Sequence, residues 1–168
     1  MEEELCQKIR KSFSCVAPTY GQHISSCPDT LDGAYVERFF SEHVINTPED
    51  IDIVGISSAE ELYYMTESAI LHYLPLYLQY LLKQRDYWKF GVFIGIIGFL
   101  NEDEGRECGV TYPVFSKQQV ECILLFLAYI RDNIERYDMD PYTYEYKEEI
   151  DDDICIWRKK QALLDIAS

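Results

Sequence analysis

Ser116-Lys117-Gln118-Gln119-Val120-Glu121-Cys122-Ile123-Leu124-Leu125-Phe126-Leu127-Ala128-Tyr129-Ile130 is the stretch that decides the fold class. Ser116 is a good N-cap residue, and Gln119 sits three positions on, where a capping box needs a side chain that reaches back. Val120, Ile123, Leu127, Ile130 and Ile134 then recur at helical spacing as one stripe. Leu124 and Phe126 widen the stripe, so this helix is expected to be buried on more than one side and to be the most buried element. The same periodicity returns at 5–13, 69–82 and 154–164. The fold class that follows is mainly α: a compact helical domain of five to seven helices, with at most a minor β element.

Working outward, Ala69 to Leu82 reads as the centre of the chain. Ile70, Tyr73, Leu74, Tyr77 and Leu81 share one face, and Pro75 is expected to kink this helix or divide it. Trp88 to Leu100 supplies the next buried element. A strand is the alternative there, because Val, Phe and Ile dominate, while Gly91, Gly95 and Gly98 either permit close helix contact or interrupt a helix. Towards the N-terminus, Leu5, Ile9 and Phe13 mark a first helix over 2–14. A second runs from about Thr30 to Glu42, with Leu31, Tyr35, Phe39 and Phe40 on its apolar side and Gly33 weakening its first turn.

Ile51 to Val54 fits a short helix or a short strand. Ser58 and Glu61 have capping-box spacing, and Thr66 reads as a fresh cap. Val16–Asp29 and 101–109 read as connections. Past Asp132 the composition changes: ten acids fall between Asp132 and Asp153 against Arg136 and Lys147, with Tyr137, Tyr142, Tyr144 and Tyr146 among them. A last helix is expected from Asp151, with Asp151, Asp152 and Asp153 in its first turn and Ile154, Trp157 and Leu164 packing it down. The division is thus a helical core over 1–136, then an acidic, Tyr-rich segment and C-terminal helix over 137–168 packed on it.

The 168 residues carry 30 acids against 15 bases, a formal charge of −15. That excess keeps a protein soluble and steers it towards basic surfaces. It argues against direct nucleic-acid binding, which needs clustered Lys and Arg. Apolar residues make up 48 % of the chain, which is enough for a packed core. The most apolar run, Phe90 to Leu100, is far shorter than the roughly 20 residues of a membrane span, so no membrane partner is expected. Met1-Glu2-Glu3-Glu4 does not read as a signal peptide. The six cysteines show no CxxC pair, which favours reduced thiols and a cytoplasmic protein.

Thr66 to Leu78, containing Tyr73-Leu74-Pro75-Leu76-Tyr77-Leu78, resembles a family of small uncharacterised bacterial proteins, a domain of unknown function with a Tyr-Leu-Pro-x-Tyr-Leu motif. Phe115-Ser116-Lys117-Gln118-Gln119 and Leu125-Phe126-Leu127-Ala128-Tyr129-Ile130 extend the likeness, which covers roughly 50–132. The resemblance implies a mainly helical, cytosolic bacterial protein. It carries no activity and no catalytic residues. Family members often have two cysteines before the central region, and the nearest candidates here are Cys15 and Cys27.

The chemistry-bearing residues form no strong motif. Cys15, His23, Cys27 and His43 could hold zinc only if they converge, and the short-spaced pairs of a zinc site are missing. His72 has no HExxH context and reads as a semi-buried helix histidine. The glycines precede no Lys-Ser or Lys-Thr of a phosphate loop. Glu148, Glu149 and Asp151 to Asp153 lack the spacing of a calcium loop. No cofactor is expected, and nothing in the chain identifies an enzyme.

The leading expectation is an acidic protein-binding protein, an immunity or antitoxin-like inhibitor of a basic effector, as a monomer or homodimer. Its partner-binding residues are Asp138, Asp140, Tyr142, Tyr144, Glu145, Tyr146, Glu148 and Glu149: carboxylates to speed encounter and aromatic rings to hold the complex. A nucleic-acid mimic, a small metal-dependent enzyme and an accessory protein without catalytic activity are the alternatives. Mimicry ranks lower because the acids concentrate in one segment.

Overall fold

The computed structural model describes residues 1–13, 23–56, 58–83, 90–101, 113–137 and 143–167. Among them the chain forms seven α-helices and no sheet. These are α1 (Glu2–Ser12), α2 (Leu31–Glu42), α3 (Asp50–Ile53), α4 (Glu67–Lys83), α5 (Phe90–Leu100), α6 (Lys117–Asp132) and α7 (Thr143–Ala167), with 3₁₀ turns at Glu60–Tyr64 and Ile134–Tyr137. The one β feature is a single antiparallel bridge between Ser25 and Met65. The mainly α expectation holds.

The start of α6 is the capping box that its sequence specifies. Ser116 Oγ accepts the Gln119 amide, and the Gln119 side chain accepts the Ser116 amide at 2.8 Å. Its stripe of Val120, Ile123, Leu127, Ile130 and Ile134 is buried throughout. It is not the most buried element, however. Gln118, Glu121 and Leu125 face solvent, whereas α5 buries Val92, Phe93 and every residue from Gly95 to Leu100. An amphipathic helix leaves its polar face to solvent, whereas the all-apolar α5 is covered nearly all round, with Ile94, 38 % exposed, as its open position.

Pro75 neither divides nor ends α4, which runs unbroken from Glu67 to Lys83. Its ring is buried, and the residues on both sides, Ile70, Leu74 and Leu78, are fully buried. Core packing thus outweighs a hydrogen bond lost at one turn, a cost of about 3 kcal/mol. Gln79 is the polar exception on this helix. Its amide donates to Pro75 O at 2.8 Å and its Oε1 accepts from Arg10 Nε, which ties α1 to α4.

The Val-, Phe- and Ile-rich run adopts α5 rather than a strand. With no neighbouring strand among the described residues, a helix is the conformation that satisfies its own backbone in a buried place. Gly95 serves close contact, since a Cβ there would sit 2.8 Å from the Ala59 amide nitrogen. Likewise Ile51 lies in the short helix α3, not a strand.

The buried side of α2 is Gly33, Val36 and Phe40, not the expected Leu31 and Tyr35; Leu31 is 92 % exposed. Gly33 sets this rotation. A Cβ there would fall 1.9 Å from the Cys27 carbonyl oxygen, so the glycine lets the 25–27 segment lie directly on the helix. Thr30 supplies the cap, its side chain accepting the Gly33 amide at 3.0 Å.

The final helix begins at Thr143, two turns earlier than expected, so Asp151, Asp152 and Asp153 lie in its interior and Asp153 is fully buried. α7 lies antiparallel on α6. Lys117 pairs with Asp165 at 2.6 Å and Arg131 with Asp151 at 3.0 Å, two ties set fourteen residues apart on both helices. That spacing is about 21 Å of helix. Trp157 anchors α7 inward: its indole N–H donates to Leu100 O at 2.9 Å, satisfying a carbonyl at the end of α5. Phe115 packs between Trp157 and Phe13, joining α7, α6 and α1 in one core.

Candidate functional site

Of the eight expected partner-binding residues, Asp138, Asp140 and Tyr142 lie outside the described residues. Tyr144 lies in the first turn of α7. Glu145 and Glu148 are exposed, Glu149 is partly so, and Tyr146 is half-buried. The Tyr146 ring meets Phe93 edge-on, with centroids 5.7 Å apart. The ring is therefore held on one side by the core, because the earlier start of α7 turns it towards the helix's inner side.

The helical register sorts the rest. Tyr146, Ile150, Asp153, Ile154, Trp157 and Leu164 make the inner face of α7. Glu145, Glu148 and Asp152 are exposed at i, i+3 and i+7, which places them in one line on the outer side. Asp152 was not among the expected contact residues; the helical register carries it into this row. Asp151 is turned instead to Arg131. The row ends one turn later, where Cys155 is exposed and Arg158 and Lys159 reverse the sign. The acidic stripe is thus about 10 Å long, on a helix tied to α6 at Asp151 and Asp165.

Two of the sulfur and imidazole candidates are kept apart. Cys27 precedes α2 and His43 follows it, so the twelve-residue helix separates them by about 18 Å. His43 stacks on Phe39, and its Nδ1 lies 2.9 Å from Phe39 O. His23 lies 3.5 Å from Glu37, whose other oxygen accepts the Ile24 and Ser25 amides. Cys15 is outside the described residues. Among those described, no three His, Cys, Asp or Glu side chains gather as a metal site would require. His72 meets Tyr73 edge-on, and burial lowers its pKa.

One polar cluster escaped the sequence reading. Glu61 lies in the 3₁₀ turn between α2, α4 and α5, and its Oε2 is buried with no hydrogen-bond partner among the described residues. Burial pushes its pKa up to about 7. The Tyr77 hydroxyl, within electrostatic reach of Glu61, is likewise buried without a described hydrogen-bond partner, and its pKa is raised well above the ordinary phenol value by burial first and Glu61 second. The expected capping box would have sent Glu61 back to Ser58. Instead Ser58 Oγ accepts the Glu60 amide at 3.5 Å, and the 3₁₀ geometry turns Glu61 inward. The signal available in the sequence was its place between Ala59 and Leu62-Tyr63-Tyr64, an apolar setting for an acid.

No family model, curated protein or solved structure matches this chain. The likeness over 50–132 rests on the quoted motifs alone. No helix among the described residues is long and apolar enough to cross a membrane.

Proposed function

We propose that this protein is an acidic protein-binding module, of the immunity or antitoxin-like inhibitor kind, that receives a basic protein surface on the N-terminal half of α7. The observation that carries this reading is the row Glu145, Glu148 and Asp152, exposed on the face of α7 directed away from the core. Three aligned carboxylates on a rigid helix present a fixed field within one Debye length of a docking partner, about 8–10 Å at ordinary ionic strength. Their main effect is on encounter rate, since exposed pairs add little affinity each.

The test is a capture from native cells followed by kinetics. A wild-type bait and the variant Glu145→Gln, Glu148→Gln, Asp152→Asn are compared for recovery of a basic protein. Association is then measured at several salt concentrations. Neutralising the row should slow association several-fold at low salt and flatten its salt dependence, with dissociation nearly unchanged. An unchanged association rate would remove α7 from recognition.

A further inference from the structure

α1 and α6 cross without closing on each other, and a groove of about 720 Å³ is left between them. Leu5, Ala128 and Tyr129 form its apolar walls together with Leu125, which is 39 % exposed. Lys8 and Lys11 border it from α1. The same two lysines and Leu125 also line an adjoining recess of about 200 Å³ with a different character, formed by Ser12, Gln118, Glu121 and Cys122. The larger space falls in the range of small-molecule sites, about 300–1,000 Å³.

A mainly apolar groove adjoining a recess with more polar side chains, with Lys8 and Lys11 lining both, is complementary to an amphiphile. We propose that the α1–α6 groove binds a single-chain carboxylate amphiphile, its alkyl chain lying along Leu5, Leu125, Ala128 and Tyr129 and its carboxylate between Lys8 and Lys11.

Charge chooses the head group. Lys8 and Lys11 stand one helical turn apart, and neither holds a carboxylate among the described residues. The nearby cations Lys83, Lys117, Arg131 and Arg136 are each within ion-pair distance of an acid. Ser12 Oγ accepts from the Cys122 thiol at 3.1 Å, which leaves the Ser12 hydroxyl hydrogen to donate to an anion. Glu121 is the opposing group in the recess. Two cations against one carboxylate suit a singly charged head and disfavour a phosphate dianion. Of the other acids on the groove, Asp132 shares Arg131 with Asp151, at 2.9 and 3.0 Å, and Glu4 lies 3.4 Å from the Met1 amine.

The experiment is titration calorimetry with sodium dodecanoate below its micelle concentration. Dodecanol, dodecyltrimethylammonium and dodecyl phosphate serve as matched chains with other heads. Dodecanoate should saturate at one site per chain and bind about tenfold tighter than dodecanol, the worth of two partly exposed ion pairs. Lys8→Gln with Lys11→Gln should remove that tenfold preference and leave dodecanol binding unchanged. Ala128→Trp should fill the groove and abolish binding of both. If circular dichroism shows that variant to be unfolded, Leu125→Ser, at an already exposed position, reads the same contact as a several-fold loss. Absence of dodecanoate binding at about 1 mM, a weak-affinity limit, would overturn the proposal. So would equal or tighter binding of the cationic or phosphate chain, or binding indifferent to the groove substitutions.

Discussion

Glu61→Gln should stabilise the protein, and should do so only where the native carboxylate is forced to ionise. The pKa of Glu61 is raised to about 7 from an ordinary value near 4.5, chiefly by burial and to a smaller degree by Glu60. The folded state therefore binds a proton more tightly than the unfolded chain does. Between these two values the unfolded chain loses its proton first, so stability falls as pH rises from about 4.5 and levels off above about 7. The full difference corresponds to about 3 kcal/mol, and solvent reaching the rest of the side chain reduces it to about 2 kcal/mol. His72 acts in the opposite sense. Its pKa is lowered by burial, so it costs stability as pH falls through its own range. The wild-type profile alone mixes these with other groups, among them Lys160, whose pKa burial lowers to about 8, and the difference between wild type and Glu61→Gln isolates the carboxyl. Thermal unfolding should show the variant about 4–8 °C more stable at pH 8, with the gap closing towards pH 4.5. A gap of the same size at both pH values would refute the reasoning, because it would then arise from packing and not from a proton.

Three further substitutions examine the same packing. Tyr77→Phe removes a buried hydroxyl with no described hydrogen-bond partner, and should be neutral or stabilising by up to about 1 kcal/mol in urea unfolding; a loss of more than that would reveal a partner for the hydroxyl. Gly33→Ala improves helix propensity by about 1 kcal/mol, yet its Cβ would meet the Cys27 carbonyl at 1.9 Å. The clash should win, with a net loss of about 2 kcal/mol, measured as a lower urea midpoint at unchanged slope. Leu127→Asp places a carboxylate where the side chain is fully buried, and should cost about 3 kcal/mol or more; wild-type unfolding would show that α6 faces the other way.

Where the determinants are local, the sequence was sufficient. The Ser116 cap, the Gln119 return and the stripe that follows all lie within five turns, and each is found where expected. The face of Ile70, Tyr73, Leu74, Tyr77 and Leu81 is likewise buried as a unit. The misreadings have one physical source, which is tertiary contact overriding a local preference. Pro75 stays helical because both neighbouring turns are buried. The inner face of α2 is rotated by a backbone approach at Gly33 that no periodicity records. The start of α7 is expected at Asp151 because Asp151, Asp152 and Asp153 suit a helix first turn; the helix instead begins at Thr143, and Ile150, Ile154 and Trp157 set it inward.

The candidate surfaces were less legible than the fold because they belong to pairs of elements. The acidic row on α7 could be partly read, since Glu145 and Glu148 lie close in sequence, but its direction depends on Trp157 reaching the end of α5. The α1–α6 groove could not be read, because Lys8 and Leu125 come from opposite parts of the chain and show no common period. The two surfaces nevertheless share a support. α6 offers one side to α7 through Lys117 and Arg131 and another to α1 around Leu125 and Tyr129. Arg136, just beyond α6, bonds both Tyr129 and Glu2 and so fixes α1 against it. If ligand in the groove shifted α1 relative to α6, that arginine would be the first bond disturbed, and α7 rides on the same helix. Occupancy of the groove and docking on the acidic row are then coupled through α6 only to the extent that each changes the packing the other needs. Arg136→Gln provides the discriminating case. It should loosen the α1–α6 crossing and alter groove affinity. It should leave the association rate at Glu145, Glu148 and Asp152 unchanged, because both α6–α7 ion pairs remain in place.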